Sequence, residues 1–473
     1  MTFVRYKKFG NLEYAYEITA YWDKKKKKPR QKVKYLGKVI NKEKKVFEKK
    51  QHRTPEKLIL DFGDSYLVNK LLQDNGYYGL LSSVFEDYCD TLFALIAFRL
   101  CQNSAMRHAQ AWFNGNYAKI IYKKAEMPSQ RISDFLKILG EEEIQRAFFK
   151  KYLPEFSNAR NGIIIDATSL PNQIHNPLTA WGCSGEEIDM QMRFLLVVDK
   201  EKSSPLFFRC LPGNIVDVST LSNTIDELKK YGIKNTCVYA DAGFFSEDNI
   251  TELYKNQIDF MMRLPAGRTI FKELMETELT GLESGRNMVR YGKRGLFIKQ
   301  RKISIFGGHE AYAHVVLDPQ RKGRETSRLV TDVIEDKTLS DEEIDYQIQT
   351  SGIMVVISSF NLSKEEVVPA YYVRQTAEVL FGFSKDDLDI LPLRVHDEQA
   401  IRGFLFLQFI TLIAFTQLKK KFGKECTVEE ALINMRNLKC KVYDDEILIG
   451  ELTKQQKMIT KNVDVIVPKT LGI

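Results

Sequence analysis

From residue 162 onward, apolar residues stop recurring at helical spacing. They gather instead into short β-branched runs separated by helical stretches, a rhythm that only a few layered α/β arrangements satisfy. Gly162-Ile-Ile-Ile-Asp-Ala-Thr, Met192-Arg-Phe-Leu-Leu-Val-Val-Asp and Pro205-Leu-Phe-Phe-Arg-Cys read as three strands. Thr220 to Tyr231 reads as a helix, Thr236 to Asp241 as a strand, and Ser246 to Gln257 as a second helix opened by a serine cap. Ile258 to Leu264 makes a fifth strand. Two strands close on a carboxylate: Asp166 after Ile163-Ile-Ile, and Asp241 after Val238-Tyr-Ala. Ligands of α/β sheets collect at the carboxyl ends of strands, so both aspartates are placed to hold a metal. A single such aspartate more often just caps a turn.

The third carboxylate lies on Pro369-Ala-Tyr-Tyr-Val-Arg-Gln-Thr-Ala-Glu-Val-Leu-Phe-Gly-Phe-Ser-Lys. At about 100° per residue, a continuous helix would bring Tyr371, Arg374, Glu378 and Lys385 to one narrow face. Val373, Ala377, Leu380 and Phe381 would face a core. A carboxylate between an arginine and a lysine suits a site for metal and phosphate together; an exposed ion-pair face has the same pattern. No histidine pair has metal-ligand spacing, and no Gly-x-Ser-x-Gly occurs.

Charge is unevenly placed. Residues 1–60 hold 19 Lys/Arg against 6 Asp/Glu, whereas the whole chain carries a net +8. Leu12 to Trp22 and Lys32 to Ile40 read as a β-hairpin whose connection carries Lys24–Lys28, Pro29 and Arg30. Such a tip, with Lys26 and Arg30, suits a phosphate backbone. A solvated lysine-rich hairpin accounts for the same charge. Residues 61–160 read as helical, as a DNA-reading helix-turn-helix or as plain bundle packing. Residues 265–365 read as a β-rich insertion with a basic cluster that includes Arg290, Lys293 and Arg294. Phe404 to Thr416 is shorter than the ~20 residues that span a bilayer and reads as a buried helix. Seven cysteines without a Cys-x-x-Cys pair point to reduced thiols in the cytoplasm. The start of the chain lacks the apolar stretch of a signal peptide.

The strand and helix order resembles that of an RNase H-like core. Tyr371-x2-Arg374-x3-Glu378-x6-Lys385 is similar, residue for residue, to the Tyr-Arg-Glu-Lys signature of the insertion-sequence-four superfamily of DDE transposases. Leu211-Pro-Gly-Asn-Ile-Val-Asp resembles a second landmark of that family. Tyr239-Ala-Asp-Ala-Gly-Phe and Ile165-Asp-Ala-Thr-Ser resemble the surroundings of its two catalytic aspartates. The resemblance covers roughly residues 160–415. Departures are the acidic Asp386-Asp-Leu-Asp after Lys385, and Phe404 where relatives commonly have histidine.

The resemblance implies an α/β, RNase H-like catalytic core with a mixed sheet and flanking helices. That core would span residues 161–264 and 366–422, with 265–365 inserted. A basic hairpin (1–60) and a helical DNA-binding region (61–160) would precede it, and a basic tail (423–473) would follow. It also implies that Asp166, Asp241 and Glu378 hold two Mg²⁺, or Mn²⁺ in their place, for phosphoryl transfer. Tyr371, Arg374 and Lys385 would contact DNA. The implied partner is double-stranded DNA, as transposon inverted repeats and as target, bound by a dimer; neither a membrane nor a small-molecule cofactor is expected. A non-catalytic DNA-binding derivative and a nuclease that cuts without rejoining are the rival readings.

Overall fold

The chain divides into two units. The computed structural model describes the chain except residues 1, 10, 11, 24–27, 49–56, 103, 157–160, 185–186, 216–217, 234–235, 336–339, 388–394, 424 and 473. One unit comprises Met1–Ile59, Cys440–Gly450 and Pro468–Ile473, and the other Leu60–Lys439 and Glu451–Val467.

The first unit is built on an antiparallel sheet in the order β1-β2-β3-β4, with β1 (Thr2–Phe9), β2 (Leu12–Asp23), β3 (Lys28–Asn41) and β4 (Val46–Glu48). The expected hairpin is β2 and β3, in register from Tyr14↔Lys38 to Asp23↔Lys28, with an irregularity at Ala15/Tyr16. β1 and β4 flank it, two strands that the hairpin expectation did not contain. Lys26 lies outside the described residues. A short strand, β5 (Leu58–Asp61), follows.

The second unit is organised by a ten-stranded mixed sheet. Its first strand along the chain is β6 (Ile163–Pro171). After it come β7 (Ala180–Ser184), β8 (Glu187–Asp199), β9 (Pro205–Pro212), β10 (Val238–Ala240) and β11 (Phe260–Arg263). β6 runs antiparallel to β8 and parallel to β10, and β10 is parallel to β11. β8 is long enough to take β7 along its first residues and β9 along the rest. Ile163, Ile164 and Ile165 are fully buried, as are Leu195 to Val198. Consecutive apolar residues of this kind mark strands covered on both faces. Gly213, in the Leu211-Pro-Gly-Asn segment, sits where backbone meets backbone. A Cβ there would stand 2.1 Å from the Gln191 carbonyl oxygen and 2.5 Å from that of Ala180.

Residues 265–365 do not form a body apart. β12 (Met288–Tyr291), β13 (Arg294–Ile305), β14 (His309–Leu317) and β15 (Ile353–Ser358) continue the same sheet in the order β12-β13-β14-β15-β11. β15 pairs antiparallel with β11, so Met261↔Ser358 joins this segment to the core by backbone hydrogen bonds. It is also only partly β: Thr269–Glu278, Pro319–Glu335 and Asp341–Thr350 are helices.

The helical region and the C-terminal part of the core share one apolar interior. Glu398–Phe422 is long and apolar enough to cross a membrane by composition, but here it is a buried core helix. Phe148 and Phe149 meet Phe406 and Phe409 of that helix, and Phe208 of β9 stacks on Phe406. Gly403 lets helix Ser129–Leu139 cross closely, since a Cβ there would stand 1.8 Å from the Leu136 carbonyl oxygen. Phe404 lies under the Arg99 guanidinium, 5.9 Å from its carbon, within this interior. In the first unit, β16 (Lys439–Val442), β17 (Glu446–Ile449) and β18 (Thr470–Gly472) pair antiparallel in that order.

Candidate active site

Asp166 is the fourth residue of β6, inside the strand and not at its end, paired with Leu196. What ends there is the fully apolar stretch: the strand is buried through Ile165 and partly open from Asp166 to Ser169. Asp241 directly follows β10. It precedes a single helical turn, Ala242–Phe244, yet its side chain makes no cap hydrogen bond to that turn. It is therefore available for other partners.

Those partners come from the segment after β15. Ser363 and Glu366 form a capping box that starts helix Lys364–Tyr372, in which Pro369 removes one backbone donor. The backbone then tightens: Arg374 N–H bonds to the Tyr371 carbonyl, Thr376 to Val373 and Ala377 to Arg374, each three residues back. Helix Gln375–Gly382 follows, and Phe383–Asp387 is a π-helical turn. The continuous α-helix expected over this stretch is thus three pieces. Even so, its four signature residues reach one place. Ala377, Leu380 and Phe381 are buried on the other side.

Arg374 is the hub. Its Nη1 lies 3.4 Å from Asp166 Oδ2 and 3.7 Å from Asp241 Oδ2, and its Nη2 lies 2.7 Å from Glu378 Oε1. Tyr371 donates its hydroxyl to Asp241 Oδ1 at 3.0 Å. Lys385 Nζ donates to Thr168 Oγ1 at 2.7 Å, two residues along β6 from Asp166 and so on the same side of the strand. Burial pushes the Asp166 carboxyl up to about 6. Arg374 and the Ala167 amide pull it down without cancelling that, while Asp241 and Glu378 push it further up. Burial also raises the Tyr371 hydroxyl, and the Asp241 charge adds to the rise. For Arg374, burial acts downward, but Tyr371 and the three carboxylates outweigh it and hold the guanidinium charged.

Three carboxylates facing one cation are a set of hard oxygen donors, the chemistry that Mg²⁺ and Mn²⁺ take. In this arrangement the cation is the guanidinium itself. Among the described residues, no three His, Cys, Asp or Glu side chains stand close enough to share one metal ion. By donor type the three carboxylates suit a divalent ion; as they stand here they face the Arg374 guanidinium instead.

The basic cluster of residues 286–302 divides. Arg294 is tied to Asp318 at 2.9 Å, Lys299 and Arg301 both to Glu278, and Lys302 to Glu310. Among the described residues, Arg290 bonds only to the Gly292 carbonyl, in the tight β12–β13 turn that also carries Lys293. That turn adjoins the site: Tyr291 stacks on Tyr372 at 5.6 Å, and Tyr372 neighbours Tyr371 at 6.1 Å. Two further residues emerge here. Thr168 could have been found by stepping two residues along the strand from Asp166. Arg263, at the end of β11, acts electrostatically on Tyr371 and has no local sequence signal.

Residues 157–414 match the transposase DDE domain family, more than half of the chain. The chain belongs to that family. No curated protein sequence is matched. Among solved structures, a piggyBac transposase in a synaptic complex with hairpin DNA is similar over 79% of each chain, at 10% identity and a TM-score of 0.44. No residue of that transposase is carried over at such a distance. In this DDE-family transposase the three carboxylates that face Arg374, Asp166, Asp241 and Glu378, all lie inside the matched span.

Proposed function

We propose that this transposase cuts DNA at the ends of an insertion sequence and joins the freed 3′-hydroxyl ends to target DNA, on an RNase H-like core of the insertion-sequence-four type. One observation carries the reading: Asp166 and Asp241 from neighbouring strands and Glu378 from a helix all face the same guanidinium. Asp166, Asp241 and Glu378 would hold two Mg²⁺, whose Lewis acidity would serve phosphoryl transfer. Tyr371, through its bond to Asp241, fixes that carboxylate's orientation. DNA phosphates offer Arg374 a bidentate partner outside the triad, and drawing it there clears the space between the carboxylates. Lys385 holds a phosphate on the Thr168 side. Arg290 and Lys293 extend the DNA path beyond Tyr372. The working state is a dimer on two transposon ends, in the cytoplasm at the nucleoid.

The test is a strand-transfer assay with a linear duplex ending in the element's inverted repeats, a target plasmid and Mg²⁺. Joined products support the proposal. Cut ends without joining would make the protein a nuclease, and binding without cutting would make it a non-catalytic DNA-binding derivative.

A further inference from the structure

The register of the N-terminal sheet sorts its side chains into two faces of different chemistry. Directly opposed residues of antiparallel strands point to the same side. β1 and β2 pair without a break from Thr2↔Thr19 to Phe9↔Leu12, so Phe3, Arg5, Lys7, Tyr14, Tyr16 and Ile18 share one face. β3 adds Val33, Tyr35 and Lys38 to that face. Ring contacts of Tyr35 with Tyr14 and Tyr16, and Lys7 over the Tyr16 ring, agree with this sorting. The opposite face receives Lys28, Arg30, Lys32 and Lys34, four cations at every second position of β3, with Asp23, Tyr21, Thr19 and Glu17 of β2 directly opposite them, so that cations outnumber carboxylates four to two along these two strands. Alternation at ~3.3 Å per residue spaces them about 6.6 Å apart in a straight row. All four are exposed. Lys28, Lys32 and Lys34 make no ion pair or hydrogen bond among the described residues.

We propose that the Lys28–Arg30–Lys32–Lys34 row is a binding surface for the phosphate backbone of duplex DNA, and that the aromatic face of the same sheet is not. Charge complementarity names the occupant. A regular line of cations on a stiff strand can follow one sugar-phosphate strand, releasing counterions at each contact. The inference rests on the DNA-processing reading of the protein, but it concerns only binding and only this sheet.

The experiment uses the full chain, a random-sequence duplex and excess chelator, with affinity measured over a range of salt concentrations. The variant Lys28→Gln/Lys32→Gln/Lys34→Gln is compared with Arg5→Gln/Lys7→Gln/Lys38→Gln, which removes the same charge from the other face. At about 0.9 per neutralised phosphate, the first variant is expected to lower the slope of log K against log salt by about 2.7. The second should leave the slope near that of the unchanged protein. Equal loss in both variants would show that net charge and not the row is felt, and would overturn the proposal. An unchanged slope in the first variant, with aggregation instead, would make these lysines guards of an exposed strand edge. If the unchanged protein does not bind duplex at all, the DNA-processing reading itself fails, a result distinct from either.

Discussion

Arg374 Nη2 lies 2.7 Å from Glu378 Oε1, one helical turn away, while the Nη1 of the same guanidinium reaches toward Asp166 and Asp241. A single side chain thus partly offsets the mutual repulsion of three carboxylates. Removing it leaves three carboxylates facing each other, two of them partly buried.

Arg374→Ala should therefore destabilise the chelator-treated protein by about 2 kcal/mol, less than the 3–5 typical of fully buried pairs because Asp241 and Glu378 are partly open to solvent. Divalent ions should restore it. The thermal midpoint of Arg374→Ala should rise with Mn²⁺ more than that of the unchanged protein, because no guanidinium competes. Equal shifts would mean that the guanidinium does not occupy the cation's place.

Asp166 gives a pH prediction. Its folded carboxyl titrates near 6 against 3.8 in an unstructured chain, so the folded state binds more protons between those values. Stability from this group is full below pH 4 and declines up to about pH 6, above which a buried anion persists. Asp166→Asn should thus stabilise the metal-free protein at pH 7.5, by up to roughly 3 kcal/mol at 1.36 kcal/mol per unit. The gain should vanish near pH 4. Chemical denaturation of both proteins at the two pH values reads it directly; a loss of stability at pH 7.5 would contradict the cause assigned to the shift.

Much of this site is legible in the sequence because the close of an apolar run and the face of a helix are local patterns. Asp166, Asp241, Arg374 and Glu378 are separated by long stretches of chain, yet each stands in a recognisable run of apolar residues. Lys385 is different. Helical angles place it only if the helix is uniform, whereas a tight turn before Glu378 and a π turn after Gly382 both change the winding. The joining of β12–β15 to the core sheet is not legible at all. It depends on Met261 to Arg263 pairing with Val356 to Ser358, nearly a hundred residues away, and apolar strands read alike whichever neighbour they take. The flanking strands β1 and β4 escape notice because their residues are largely exposed and show no apolar run.

Tyr291 tests whether the β12–β13 turn serves the chemistry. It stacks on Tyr372, beside the Tyr371 that bonds Asp241. A DNA hairpin intermediate would strain the duplex, and an aromatic ring receiving a flipped base would relieve that strain. On an intact transposon end Tyr291→Ala should nick as the unchanged protein does, while on a pre-nicked end it should lose the hairpin-length product that the unchanged protein forms, read on a denaturing gel. Hairpins at the normal rate would remove Tyr291 from that role.

The most direct measurement is cleavage of an end-containing duplex by Asp166→Ala, Asp241→Ala and Glu378→Ala, with binding to the same duplex measured in parallel. Each substitution should abolish cleavage while binding survives, since Lys and Arg contacts to phosphate dominate affinity. The unchanged protein should cut with Mg²⁺ or Mn²⁺ and stop in excess chelator. Cleavage at the unchanged rate by any of the three variants, or full cleavage in chelator, would contradict the assignment of this triad as the catalytic site.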